Sequence, residues 1–229
     1  ETFFNSFHFW RSLRNTIVIS LYSLCVGFPI PIIFALLMNL VRNLRFRKVV
    51  QTVTYLPHFI STVVLVGMIV QMLNPVTGLY GVLYKMLGGQ GYPTAPTSIP
   101  SAFYHLYVWS GVWQGLGYSS IIYLGSITGI SDEYYEAAVI DGATKWQQIV
   151  HITLPFLKPM AVVLTIMRVG SMFSSNFDLF YQVPMNSGQL YSVTNTIDVF
   201  VYNTLKESNN VGLSSAVSFV QSVAGLVLV

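Results

Sequence analysis

Four stretches of this chain contain no Asp, Glu, Lys or Arg: Asn15–Val41, Val49–Tyr84, Met86–Ser131 and Ser208–Val229. A helix needs roughly 20 predominantly apolar residues to cross the hydrocarbon core of a bilayer, and each stretch can hold one. Only 8% of the 229 residues are charged, whereas a soluble domain carries about 25%. With no water to satisfy backbone groups in lipid, the spanning solution for such long apolar runs is the helix. The sequence therefore predicts an all-α integral membrane protein.

Five spans follow from the pattern. The first covers about Leu13–Leu40 and contains Pro29 and Pro31, which remove backbone donors and kink or break it. The second covers Val49–Leu73, with Pro57 and His58 inside it. The third covers Ala102–Thr128, the fourth runs from Pro159 to about Phe177, and the fifth begins near Val211 and is still running at Val229. Glu1-Thr2-Phe3 is no basic leader, and the last residues stand mid-run, so the chain reads as a segment that lacks an upstream span and its C-terminal end.

Charge gives the orientation. Alternating five spans puts the Arg42–Lys48 loop and the Gly129–Lys158 segment on one side, with Arg42, Arg45, Arg47, Lys48, Lys145 and Lys158. The excess of Lys and Arg on short cytoplasmic loops makes that side cytoplasmic. The net charge of +3 is scattered rather than clustered, which does not suit a nucleic-acid partner. The one cysteine, Cys25, cannot make an intrachain disulfide, and His8, His58, His105 and His151 lack metal-ligand spacing.

The polar segment 129–159 is the most structured part of the reading. Ser131 stands as an N-cap, with Asp132 and Glu133 in the first turn, where the helix dipole favours acid. The helix runs through Glu136, Ala137 and Ala138 to Asp141, and Gly142 supplies the left-handed residue that closes it. Thr144 and Gln147 have capping-box spacing and open a second helix to about Ile152. Pro155 and Pro159 are predicted to reset the chain into the next span. Two short helices around a sharp turn, with a small face at Ala137 and Ala138 and acids at Glu136 and Asp141, suit docking against a basic groove rather than catalysis.

Glu136-Ala137-Ala138, Asp141-Gly142-Ala143 and Ile152-Thr153-Leu154-Pro155 resemble the EAA loop of the permeases of binding-protein-dependent ABC importers. At ordinary residue usage the fixed-spacing matches arise by chance about once in ten million starts. Tyr55-Leu56-Pro57, Trp113–Gly117 with Tyr118, Tyr123-Leu124, Ile130-Ser131 and the span from Gly212 look similar to the carbohydrate branch of that family. The resemblance implies a type I importer transmembrane domain over residues 1–229, five spans of an intact six, in the bacterial plasma membrane. It also implies a second, similar but different permease, two ATPases docked on the 129–159 coupling loop through Glu136–Ala138, Asp141–Ala143, Ile152, Leu154 and Pro155, and an extracytoplasmic solute-binding protein that delivers a sugar or oligosaccharide. No phosphate-cradling glycine loop occurs here, so the chain is not itself an enzyme. ATP and magnesium belong to the partner.

By the same resemblance the substrate path takes Trp113 and Gln114, which offer a stacking face and an amide, and Ser174, Ser175 and Asn176, with Phe59 and Ser61 beside them. The plainer alternative for these is ordinary polar contact between helices. Arg168, within the fourth span, either lines the cavity or pairs with a neighbouring subunit. A transporter driven by an ion gradient is the alternative function; only Arg168 and the Pro29–Pro31 break favour it.

Overall fold

A computed structural model describes residues 7–174 and 190–228, and every regular element among them is helical. The first gap forms α1 (Phe7–Gly27) and α2 (Pro29–Leu40). Pro29 and Pro31 cannot donate to the turn before them. Phe28 nonetheless keeps right-handed helical dihedrals, and its N–H reaches the Leu24 carbonyl at 3.1 Å. The prolines interrupt the ladder without ending the element, and Phe9–Leu40 is long and apolar enough to cross a membrane.

The second predicted span is two helices instead of one. Asn43 caps α3 (Leu44–Tyr55) by accepting from the Arg45 and Phe46 amides at 3.0 and 3.2 Å. A 3₁₀ turn over Leu56–Phe59 follows, and α4 occupies Thr62–Met72. The cause is local. Pro57 disfavours continuation of the helix before it, and Ser61 takes a capping role, accepting from the Val64 amide. After α5 (Leu79–Met86), α6 (Pro100–Thr128) runs for 29 residues, about 44 Å at 1.5 Å per residue.

Among the described residues three helical runs, Phe9–Leu40, Lys145–Gly170 and Val211–Leu228, have both the length and the apolar content of a span, and the broken pair α3–α4 makes a fourth. The third predicted span, α6, has the length, but Ser, Gly, Gln and Tyr dilute its apolar content. α7 (Asp132–Ile140), α8 (Lys145–Gln148), a π-helical turn (Ile149–Thr153) and α9 (Leu154–Gly170) follow it. Later come α10 (Tyr191–Thr194), α11 (Ile197–Ser208) and α12 (Val211–Leu228).

The described residues group into two compact units. One draws on Glu1–Ser23, Ile60–Ser110 and Gly170–Val229, the other on Leu24–Phe59 and Gly111–Val169. The first has a core of Ile19, Leu65, Val66, Phe103, Leu190 and Val199. It also has a buried polar joint. Asn15 Nδ2 donates to the carbonyls of Ser192 and Asn195 at 3.0 and 3.2 Å, while Tyr104 Oη donates to Asn15 Oδ1 at 3.1 Å. At the next residue of α1, Thr16 Oγ1 accepts from the Ile197 amide at 3.1 Å. Each unsatisfied group costs about 1–3 kcal/mol, so Asn15→Leu, which orphans two carbonyls and a hydroxyl, should lower stability by about 3 kcal/mol. Loss of thermal stability in detergent checks this; an unchanged melting temperature would contradict it.

The second unit centres on Ala35, Met38, Tyr123, Leu124, Ile127 and Leu157. In it α6 lies directly on the α3 backbone. A Cβ added at Gly117 would overlap the Thr54 carbonyl oxygen and stand 2.5 Å from its carbon and 2.6 Å from Tyr55 Cδ1. The Trp113–Gly117 motif thus includes a glycine that close helix approach requires.

Candidate functional site

The 129–159 segment belongs wholly to the second unit, and its local chemistry follows the sequence closely. Ser131 Oγ accepts from the Glu133 amide to start α7. At the other end the Gly142 amide donates to Val139 O at 3.0 Å and the Ala143 amide to Ala138 O at 2.8 Å. This pair of bonds is a Schellman closure, and it needs a left-handed residue at its pivot. Gly142 has φ +77°.

Thr144 then opens α8 with a complete capping box. Its hydroxyl accepts from the Gln147 amide at 3.3 Å, and its own amide donates to Gln147 Oε1 at 2.7 Å. The two helices are joined back to the following span by Tyr135 Oη and Thr153 Oγ1, 3.0 Å apart. Tyr134 and Phe156 add a ring contact with centroids 5.2 Å apart.

Downstream the structure departs from the prediction. Pro155 and Pro159 do not reset the chain: Lys145–Gly170 is one helical run of 26 residues. The π turn explains it. The Leu154 amide reaches back five residues to Ile149 O, so the hydrogen-bond register shifts immediately before Pro155, where a donor is missing in any case. A load on α8 therefore reaches α9 without an intervening break, and α7 is tied to the same run through Tyr135 and Thr153.

The sequence-predicted docking residues are largely on the surface. Glu136, Ala137, Asp141, Gly142, Leu154 and Pro155 are exposed, while Ala138, Ala143 and Ile152 are half-buried. What the sequence reading missed is apolar. Ile140 is 86% exposed, Trp146 70% and Val139 58%. Large apolar residues standing within a polar segment were the available signal.

The proposed substrate-path residues are dispersed. Trp113 and Gln114 lie on α6, Trp113 exposed and Gln114 half-buried. Phe59 is exposed on the 3₁₀ turn, where His58 stacks on Tyr118 with centroids 4.0 Å apart. Arg168 is near Gly27: a Cβ there would stand 4.0 Å from its Nη1 and 3.6 Å from Val112 Cγ2. Ser61 is committed to capping α4. Ser174 belongs to the turn after α9, which stops at Gly170 rather than near Phe177, and its amide donates to Ser171 O at 3.0 Å. Beside that turn Gln221 Nε2 donates to the carbonyl of Phe173 at 2.7 Å and to Asp198 Oδ1 at 2.8 Å. Ser175 and Asn176 lie outside the described residues.

Residues 27–183 match the family described as binding-protein-dependent transport system inner membrane components. A polygalacturonan/rhamnogalacturonan transport system permease protein of Bacillus subtilis is 35% identical over 96% of this chain and 68% of its own length. The protein LplB of the same organism is 32% identical over 100% of this chain and 71% of its own. Among solved structures, a chain of a bacterial alginate ABC transporter, in complex with an alginate pentasaccharide-bound periplasmic protein, superposes with a TM-score of 0.94. It is 34% identical and covers 99% of this chain and 77% of that one.

Proposed function

Since the chain belongs to the binding-protein-dependent transport system inner membrane components, we propose that it works as the sugar-translocating permease of an ABC importer, moved by a partner ATPase through residues 131–155. The observation that carries the coupling half is the joint between α7 and α9. Two capped helices leave Val139, Ile140 and Trp146 bare, and Tyr135–Thr153 with an unbroken Lys145–Gly170 run conveys their motion into a span. An ATPase groove that receives Ile140 and pairs with Glu136 and Asp141 would bury apolar area and hold register with charge.

In this reading the Glu136–Ala143 turn faces the cytoplasm. A second, different permease completes the path, two ATPases supply ATP and magnesium chemistry, and an extracytoplasmic binding protein delivers the solute. Two similar proteins are named for acidic polysaccharides, alginate and polygalacturonan, so acidic oligosaccharides of that kind are the first substrates to try. Arg168 and Trp113 are the path residues we favour for them. Arg168 is the cation in the last turn of α9, and Trp113 is an exposed ring on α6 suited to stacking on a sugar face.

Photo-cross-linking tests the contact. In a Cys25→Ser background, which removes the single native thiol, a benzophenone maleimide on Ile140→Cys should couple to the ATPase subunit of the purified assembly. Coupling to the solute-binding protein instead would invert the orientation and sink the proposal.

A further inference from the structure

Behind the docking helices, in the second unit, lies a cavity of about 480 Å³, within the size range of small-ligand sites. It is walled by the ends of α2 and α6 and by α7, α8 and the π turn, and its charged lining is Arg42, Lys145 and Asp132. Gln148, only 3% exposed, lines the same cavity. The Lys145 ammonium donates to Gln148 Oε1 at 2.9 Å, and because an ammonium can only donate, the amide orientation is fixed. Gln148 Nε2 is then left buried with no acceptor, and such an orphan donor in a protein interior is costly unless a ligand or water answers it.

The donors and cations together ask for an oxyanion. We propose that the cavity holds the phosphate-bearing head group of an anionic glycerophospholipid of the cytoplasmic leaflet. Arg42 and Lys145 would take the phosphate by charge-assisted bonds, and Gln148 Nε2 would add a fixed donor. Asp132 repels a bare phosphate but accepts from hydroxyls, which selects a head group that carries a polyol. The acyl chains also have a track. Ile33, Leu37 and Leu40 are 53%, 53% and 45% exposed; their spacing puts them on one stripe of α2, and Leu40 is itself part of the cavity wall. Basic pockets at the cytoplasmic ends of spans are suited to anionic head groups. The inference rests on the cytoplasmic placement of this segment, not on transport, and its test needs neither ATP nor sugar.

The purified assembly, in nanodiscs of phosphatidylcholine, is titrated with dioleoylphosphatidylglycerol, and retained lipid is read by native mass spectrometry. A parallel arm adds soluble glycerol 1-phosphate and reads thermal stabilisation. Wild type should retain phosphatidylglycerol. Gln148→Glu keeps the bond to Lys145 but turns the orphan donor into an anionic oxygen, and it should need about tenfold more lipid, the effect of one lost charge-assisted bond. Arg42→Ala, a substitution at an exposed residue, should do the same, while Arg45→Ala, outside the cavity lining, should not. Equal retention in all four proteins overturns the proposal. Stabilisation by glycerol 1-phosphate with no lipid retained assigns the cavity to a soluble phosphate ester and overturns the lipid assignment.

Discussion

Gly142→Asp is expected to cut ATP-driven uptake by at least about a hundredfold while the chain still inserts and assembles its own helices. The structure separates two causes. A Cβ at Gly142 would meet nothing within 4 Å, so this chain does not obstruct the side chain. The backbone cost of φ +77° is about 1–2 kcal/mol for an ordinary residue and less for Asn or Asp, which visit the left-handed region more readily. That is too little to unfold the segment. The larger effect comes from placing a carboxylate at the tip of a docking turn, where a desolvated, unpartnered charge costs several kcal/mol, and each 1.4 kcal/mol is a factor of ten. Gly142→Asn, with similar backbone tolerance and no charge, should retain much more uptake than Gly142→Asp. Equal activity of wild type and Gly142→Asp in vesicles would contradict the docking role.

The second large effect is at Gly117. Gly117→Ala drives a methyl into the Thr54 carbonyl and to within 2.6 Å of Tyr55 Cδ1. Backbone cannot swing aside as a side chain can, and overpacking of this kind costs about 1–3 kcal/mol or more. The variant is expected to express poorly and to melt well below wild type in detergent. Gly125, on the same helix, has nothing within 4 Å of its Cβ position. Gly125→Ala should be neutral or add about 0.5–1 kcal/mol by removing a helix glycine. Indistinguishable melting of Gly117→Ala and Gly125→Ala would show that α3 and α6 do not meet as described.

These two glycines mark what could be read from sequence. Gly142 was legible because its reason is local: a Schellman closure, the Ser131 cap and the Thr144–Gln147 box each lie within a few residues of chain. The charge-free gaps were legible for the same reason, since lipid exposure acts on every residue of a span. Gly117 was legible only as part of a family-like motif. Its physical reason, Thr54, is more than sixty positions away. Likewise the Asn15 joint pairs residues some 180 positions apart, and the burial that orphans the Gln148 amide is not set by its neighbours in sequence.

The prolines misled in opposite directions, since the span predicted through Pro57 broke and the break predicted at Pro155 did not occur. At Pro57 a new cap, Ser61, was available, so the helix broke and restarted. At Pro155 a π turn absorbed the missing donor, so the helix continued from Lys145 to Gly170. Proline states which hydrogen bond is lost; whether the helix survives is decided by what the flanking residues can substitute for it. The emphasis on Ala137 and Ala138 shifts for a related reason. Small residues in a motif draw attention, yet exposure singles out Ile140 and Trp146 as the apolar area still to be covered.

The central claim is that motion in this chain is powered by ATP hydrolysed in a partner and delivered through residues 131–155. Its most direct test is uptake of a labelled acidic oligosaccharide by the complete assembly in proteoliposomes, with saturating solute-binding protein outside and ATP inside. Uptake should require internal ATP and should be unaffected by ionophores that collapse proton and sodium gradients. Uptake that persists without ATP and stops when the gradients are collapsed would contradict the account.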